Sequence, residues 1–132
     1  MANIEVTSGL VARLLAEAEA AAPREACGLL LGHSGCIEKV QPAHNFHAQP
    51  ETHFEIDPQA LIDAHRDARS GDLQVIGYYH SHPAGPAEPS ATDRAEAAND
   101  GSIWAIVGNG TVRFWRAGDG GFVELSTGRH NG

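Results

Sequence analysis

Residues 73–82, LQVIGYYHSH, form an apolar-rich run that stops at Pro83 and reads as one buried strand. That strand constrains the whole chain, because the segments around it alternate in character. Residues 6–21 carry Leu10, Leu14 and Leu15 at helical spacing, with Val11 adjoining. Thr7 or Ser8 is placed to cap this helix and Pro23 to end it. Asp57-Pro58 opens a second helix, with Asp57 as N-cap and Pro58 at the first helical position. It carries Leu61, Ile62 and His65 and ends near Ser70-Gly71. A third, short helix starts at Ser90 and covers SATDRAEAAND (90–100).

The remaining segments read as strands. Residues 27–32 and 36–41 suggest a hairpin turning at His33-Ser34-Gly35, with Gly32 opposite Cys36. HFEI (53–56) reads as a brief strand after a polar loop over 43–53. SIWAIVG, TVRFWRA and FVELS form a meander with turns at Asn109-Gly110 and Gly118 to Gly121, and the tail GRHNG reads as frayed. Helix, hairpin, helix, strand, helix and meander lack regular βαβ repetition. The expected class is therefore mixed α+β, in a single domain over 1–132.

Composition narrows the partners. Nine Lys+Arg against 17 Asp+Glu give a formal charge of −8, which argues against a nucleic-acid partner. There is no apolar window of membrane-spanning length, and MANIEVTSGL lacks a signal-peptide pattern. A cytoplasmic protein without a membrane partner is the expectation. In the expected hairpin Cys27 and Cys36 stand too far apart to be bridged, so both thiols read as reduced.

The candidate chemistry lies at the end of the central strand. His80 and His82, two apart, point to one face. Asp93, in the first turn of the third helix, can return to the same point. Two imidazoles and a carboxylate make three N/O ligands, the number that catalytic zinc commonly takes, with water in the open position. Glu25, before an apolar strand, is the candidate general base. Ser90 is the candidate donor to a developing oxyanion. Each element also has a plainer reading. His-x-His occurs on surface strands, Ser90-x-x-Asp93 is a capping-box variant, and Glu25 can be a solvated strand-edge acid. His33, His44, His47, His53, His65 and His130 show no paired spacing and read as surface or loop residues.

HSHPAGPAEPSATD resembles the signature of the JAMM/MPN-type metalloproteases: His-x-His-Pro, seven residues, Ser, two residues, Asp. PREACGLLLG is similar to the segment bearing that family's catalytic Glu in its small prokaryotic members. Shared features extend through Asn45 and the segment Phe54 to Pro58, so the resemblance spans roughly residues 23–108. It implies a curved mixed β-sheet flanked by helices, the MPN/cytidine-deaminase-like fold. It implies one Zn2+ per chain on His80, His82 and Asp93. Glu25 would hydrogen-bond the water and act as base then acid, and Ser90 would stabilise the tetrahedral intermediate. The implied reaction is hydrolysis of the bond after the C-terminal Gly-Gly of a small ubiquitin-like protein, of sulfur-carrier type. Two alternatives stand beside it. One is a non-catalytic, metal-containing module that binds a ubiquitin-like partner. The other is a cupin-type all-β metal protein, which the three expected helices oppose.

Overall fold

The computed structural model describes residues 3–71 and 73–130. In chain order its elements are β1 (Ile4–Thr7), α1 (Leu10–Ala21), β2 (Cys27–His33), β3 (Cys36–Ala43), α2 (Pro58–Arg69), β4 (Gln74–His82), α3 (Ala91–Glu96), β5 (Ile103–Gly108), β6 (Thr111–Gly118), β7 (Gly121–Leu125) and β8 (Thr127–His130). The described strands make one sheet in the order β7-β6-β5-β4-β2-β3-β1-β8. The pairs β1–β3, β1–β8 and β4–β5 are parallel and the others antiparallel. Strands β7 and β8 sit at opposite edges, yet only Ser126 separates them in the chain. The sheet must therefore curl until its two edges nearly meet.

Each face is buried by a different group of residues. Tyr79 pairs with Ala105, and both belong to the cluster that receives Leu10 and Leu14 of α1. Those two leucines are one helical turn apart and are buried, each stabilising the fold by roughly 1.5–3 kcal/mol. The next residues along, His80 and Ile106, point the other way. On that side Trp104, Ile106, Trp115 and Ala117 form a second cluster, covered by Phe54, Ala97 and Phe122.

Several local expectations hold. Asp57 caps α2 by accepting the Gln59 N–H at 2.9 Å, Pro58 occupies its first turn, and Ser70 ends it. The segment 83–89 contains no helix or strand. Others need correction. Residues 6 and 7 belong to β1, not to the helix, and α1 is preceded by Gly9 in a left-handed conformation (φ 84°) without a side-chain cap from Thr7 or Ser8. The hairpin turn is Ser34-Gly35, so His33 opposes Cys36. A bulge between Leu31 and Gly32 then puts Gly32 opposite Ile37. HFEI shrinks to a single bridge between Asn45 and Ile56. The third helix stops at Glu96. Of the tail, Gly128 to His130 lie in β8 beside β1, while residues 131 and 132 lie outside the described residues. Cys27 and Cys36 are both free, as expected. Among the described residues no helix is long and apolar enough to cross a membrane.

The central ladder tolerates no side chain at Gly77, where a Cβ would fall 1.8 Å from the Ile103 carbonyl oxygen. Gly77→Ala should cost about 3 kcal/mol, read as a lower urea midpoint with little change in the slope of the transition.

Candidate active site

Buried polar and charged residues are expensive unless they are paired. Among the described residues the buried polar and charged ones are Glu25, His80, Ser81 and Asp93; His80 and Asp93 meet, and Ser81 bonds the backbone next to Glu25. Strand β4 sets the first of them. His80 pairs with Cys27 of β2 and Ile106 of β5, so its imidazole lies on the Trp104–Ile106 face, and His82 follows it there. Asp93 arrives from the third position of α3. Its helix starts at Ser90 with a full capping box: Ser90 Oγ accepts the Asp93 N–H at 3.1 Å, and the Ser90 N–H donates to Asp93 Oδ2 at 2.9 Å.

The three side chains converge. His80 Nε2 and His82 Nε2 are 3.1 Å apart, and each is 3.1 Å from Asp93 Oδ2. His82 Nδ1 lies 2.8 Å from the Pro86 carbonyl, which can only accept. One ring proton therefore sits on Nδ1, and Nε2 faces the other two groups, where it can donate to Asp93 when protonated or bind a metal ion when not. Three potential ligand atoms this close can be joined by shared protons or by a metal ion. A tetrahedral ion with bonds of about 2.0–2.2 Å places its donors about 3.3–3.6 Å apart, close to the separations here. His80, His82 and Asp93 can hold one metal ion.

The electrostatics agree. Burial works to raise the Asp93 pKa, but hydrogen bonds from His80 and His82 win and hold it well below the usual carboxylate range. Burial pushes His80 down, toward the neutral form that binds metals. For His82 burial also acts downward, yet the bonds to Asp93 and Pro86 outweigh it and raise the pKa. Contact with Asp93 thus favours the protonated form of His82, whereas burial keeps His80 neutral.

Glu25 reaches the site because the β2–β4 ladder is extended by one unusual step. The Ser81 N–H donates to the Ala26 carbonyl at 3.1 Å, and the Ala26 N–H donates to Ser81 Oγ at 2.8 Å. This places Glu25 one residue further out, across from His82. Burial is the main cause that pushes its pKa up to about 7; the charge of His82 lowers it and that of Asp93 raises it.

The segment after His82 is pinned at several points. Besides the His82–Pro86 bond, Trp115 Nε1 donates to the Ala87 carbonyl at 3.2 Å, and Arg113 joins Glu88 at 2.9 Å. Gly108 allows the close approach, since a Cβ there would lie 2.5 Å from the Gly85 oxygen.

Comparison with known proteins gives this geometry a lineage. A family model described as prokaryotic homologs of the JAB domain matches residues 7–118. The chain belongs to this prokaryotic JAB family. It is 34% identical over 109 residues to a desampylase of Haloferax volcanii, covering 79% of this chain and 77% of that protein. It is 39% identical over 92 residues to a probable TtuB-protein conjugate cleaving protease of Thermus thermophilus, covering 70% of this chain and 62% of that protein. A solution structure from Desulfitobacterium hafniense superposes with a TM-score of 0.85 at 30% identity, covering 98% of this chain and 94% of that one.

In this JAB domain some supporting residues escape the sequence reading. Phe54 stacks on His80 with ring centroids 4.4 Å apart and planes 16° from parallel, and Trp104 meets the same ring edge-on. His80 Nδ1 is buried without a hydrogen-bond partner, so ring packing orients this imidazole. Only strand parity could have placed Trp104 there. The family resemblance marked Phe54 without giving it a role, and nothing marked the Ser81 hydroxyl. The remaining described histidines stay outside the site; His47 and His53 stack on each other instead.

Glu25 has a consequence for stability in the metal-free protein. The unfolded chain loses this proton near pH 4.5, whereas the folded chain keeps it to about 7. The Glu25 contribution to stability should therefore fall as pH rises from 4.5 to 7, by about 2 kcal/mol after solvent screening. Denaturation between pH 4.5 and 6, below the titration of His82, should show Glu25→Gln without that fall.

Proposed function

We propose that this chain is a zinc-dependent isopeptidase. It hydrolyses the bond after the C-terminal Gly-Gly of a small ubiquitin-like protein of sulfur-carrier type. Residues 1–132 act as one JAMM/MPN domain, in the cytoplasm, where Cys27 and Cys36 stay reduced. The observation that carries the reading is the buried Glu25 beside a convergent His80, His82 and Asp93. A module that only held its partner would gain nothing from a buried carboxyl at that position. The relatives named for removing or cleaving protein conjugates support the same substrate class.

His80, His82 and Asp93 would hold one zinc ion per chain. Bound there, zinc supplies a Lewis acid that polarises the scissile carbonyl and brings the pKa of water to about 7. Glu25, buried across from His82, is placed to take the proton of the attacking water and pass it to the leaving nitrogen. The bond to that nitrogen breaks as the carbonyl re-forms, and the Gly-Gly end leaves as a carboxylate. Ser90 Oγ already accepts the Asp93 N–H, so its own proton is free to donate to the oxygen that gains charge. His82 is held for its task by Pro86, and His80 by Phe54.

The test is cleavage of ubiquitin-like carriers extended beyond Gly-Gly, followed by intact mass. The expected product ends in Gly-Gly, and a chelator abolishes its formation. Glu25→Gln should keep zinc and lose about 10²- to 10⁴-fold in kcat. His82→Ala should lose the metal. Full turnover by Glu25→Gln would remove Glu25 from the chemistry.

A further inference from the structure

Glu25 lies outside any strand, two residues before β2, so its carboxyl is only as well placed as its backbone. Two contacts fix that backbone from outside the motif. The Glu25 N–H donates to the Pro50 carbonyl at 2.7 Å, and its carbonyl accepts from Asn45 Nδ2 at 3.2 Å. Pro50 belongs to the long irregular connection between β3 and α2, where the one described bridge pairs Asn45 with Ile56.

Asn45 organises that connection. Its Oδ1 accepts the His47 N–H at 3.0 Å and the Glu55 N–H at 3.1 Å. Its Nδ2 also reaches the His53 carbonyl at 2.9 Å and the Pro50 carbonyl at 3.4 Å. Both backbone partners of Glu25 therefore depend on one amide, directly or through Pro50. The same connection carries Phe54, which stacks on His80. Only a head that both donates and accepts can do this. A carboxylate accepts alone, and a methyl group does neither.

We infer that Asn45 is a positioning residue. It holds Glu25 and the His80 ring in one frame while touching neither substrate nor metal. The inference rests on the reading of Glu25 as the base, but the frame itself can be measured without turnover. Hydrogen exchange on the metal-free protein reads the Glu25 and Ala26 amides against Leu30 in the core. In Asn45→Ala and in Asn45→Asp, which keeps the two accepted bonds, the Glu25 and Ala26 amides should exchange at least about tenfold faster, with Leu30 unchanged. The zinc-loaded variants should keep one metal per chain and a KM within about threefold of the parent. Their kcat should fall by at least about tenfold.

Unchanged exchange at Glu25 and Ala26, equal acceleration at Leu30, or a kcat within twofold of the parent would each overturn the inference. A parent protein that cleaves no Gly-Gly conjugate would instead sink the proposed function, and the exchange result would still decide the role of Asn45. Should Asn45→Ala not fold, Asn45→Asp carries the same readouts.

Discussion

Two imidazole nitrogens and a carboxylate oxygen lie 3.1 Å from one another in a largely buried place. Groups of this kind are costly to bury unless a shared proton or a metal ion joins them. Much of the surrounding structure serves to hold this arrangement. The β2–β4–β5 register aims both histidines at one face, α3 delivers Asp93, and Pro86 fixes the tautomer of His82. A protein that gained only stability from this region would fill it with apolar side chains of similar volume.

The capping and ligand readings of Asp93 turn out to be compatible. An ionised carboxylate has two oxygens and about four lone-pair positions. One bond from the Ser90 N–H leaves room for both histidines and for an ion. Capping orients the carboxylate, and the histidines keep it ionised. Ser90 likewise accepts through Oγ without giving up its proton.

What could be read from the sequence was whatever local chemistry decides. The caps at Asp57 and Ser90 depend on a few neighbouring residues, and both form as expected. The shared face of His80 and His82 follows from strand alternation alone. Pairings set at long range were not legible. IEVT becomes β1 because it lies between β3 and β8, and TGRH becomes β8 because β1 is there to receive it, some 120 residues away in the chain. Nothing within either segment announces this. The Gly32 register differed because a bulge in β2 and β3 shifts the ladder, which no alternation pattern records. In the site, the ligand spacing was visible; the resemblance marked Asn45 and Phe54, but what they touch was not legible. Asn45, Phe54 and the Ser81 hydroxyl act through backbone groups or ring faces brought near only by the fold.

The most direct test of the account is a crystal of the zinc-loaded protein measured on both sides of the zinc absorption edge. The expected result is one anomalous peak per chain about 2.0–2.2 Å from His80 Nε2, His82 Nε2 and an Asp93 oxygen, with Glu25 facing the remaining position. A map with zinc elsewhere, or with Asp93 still bonded only to the two imidazoles and Ser90, would contradict it.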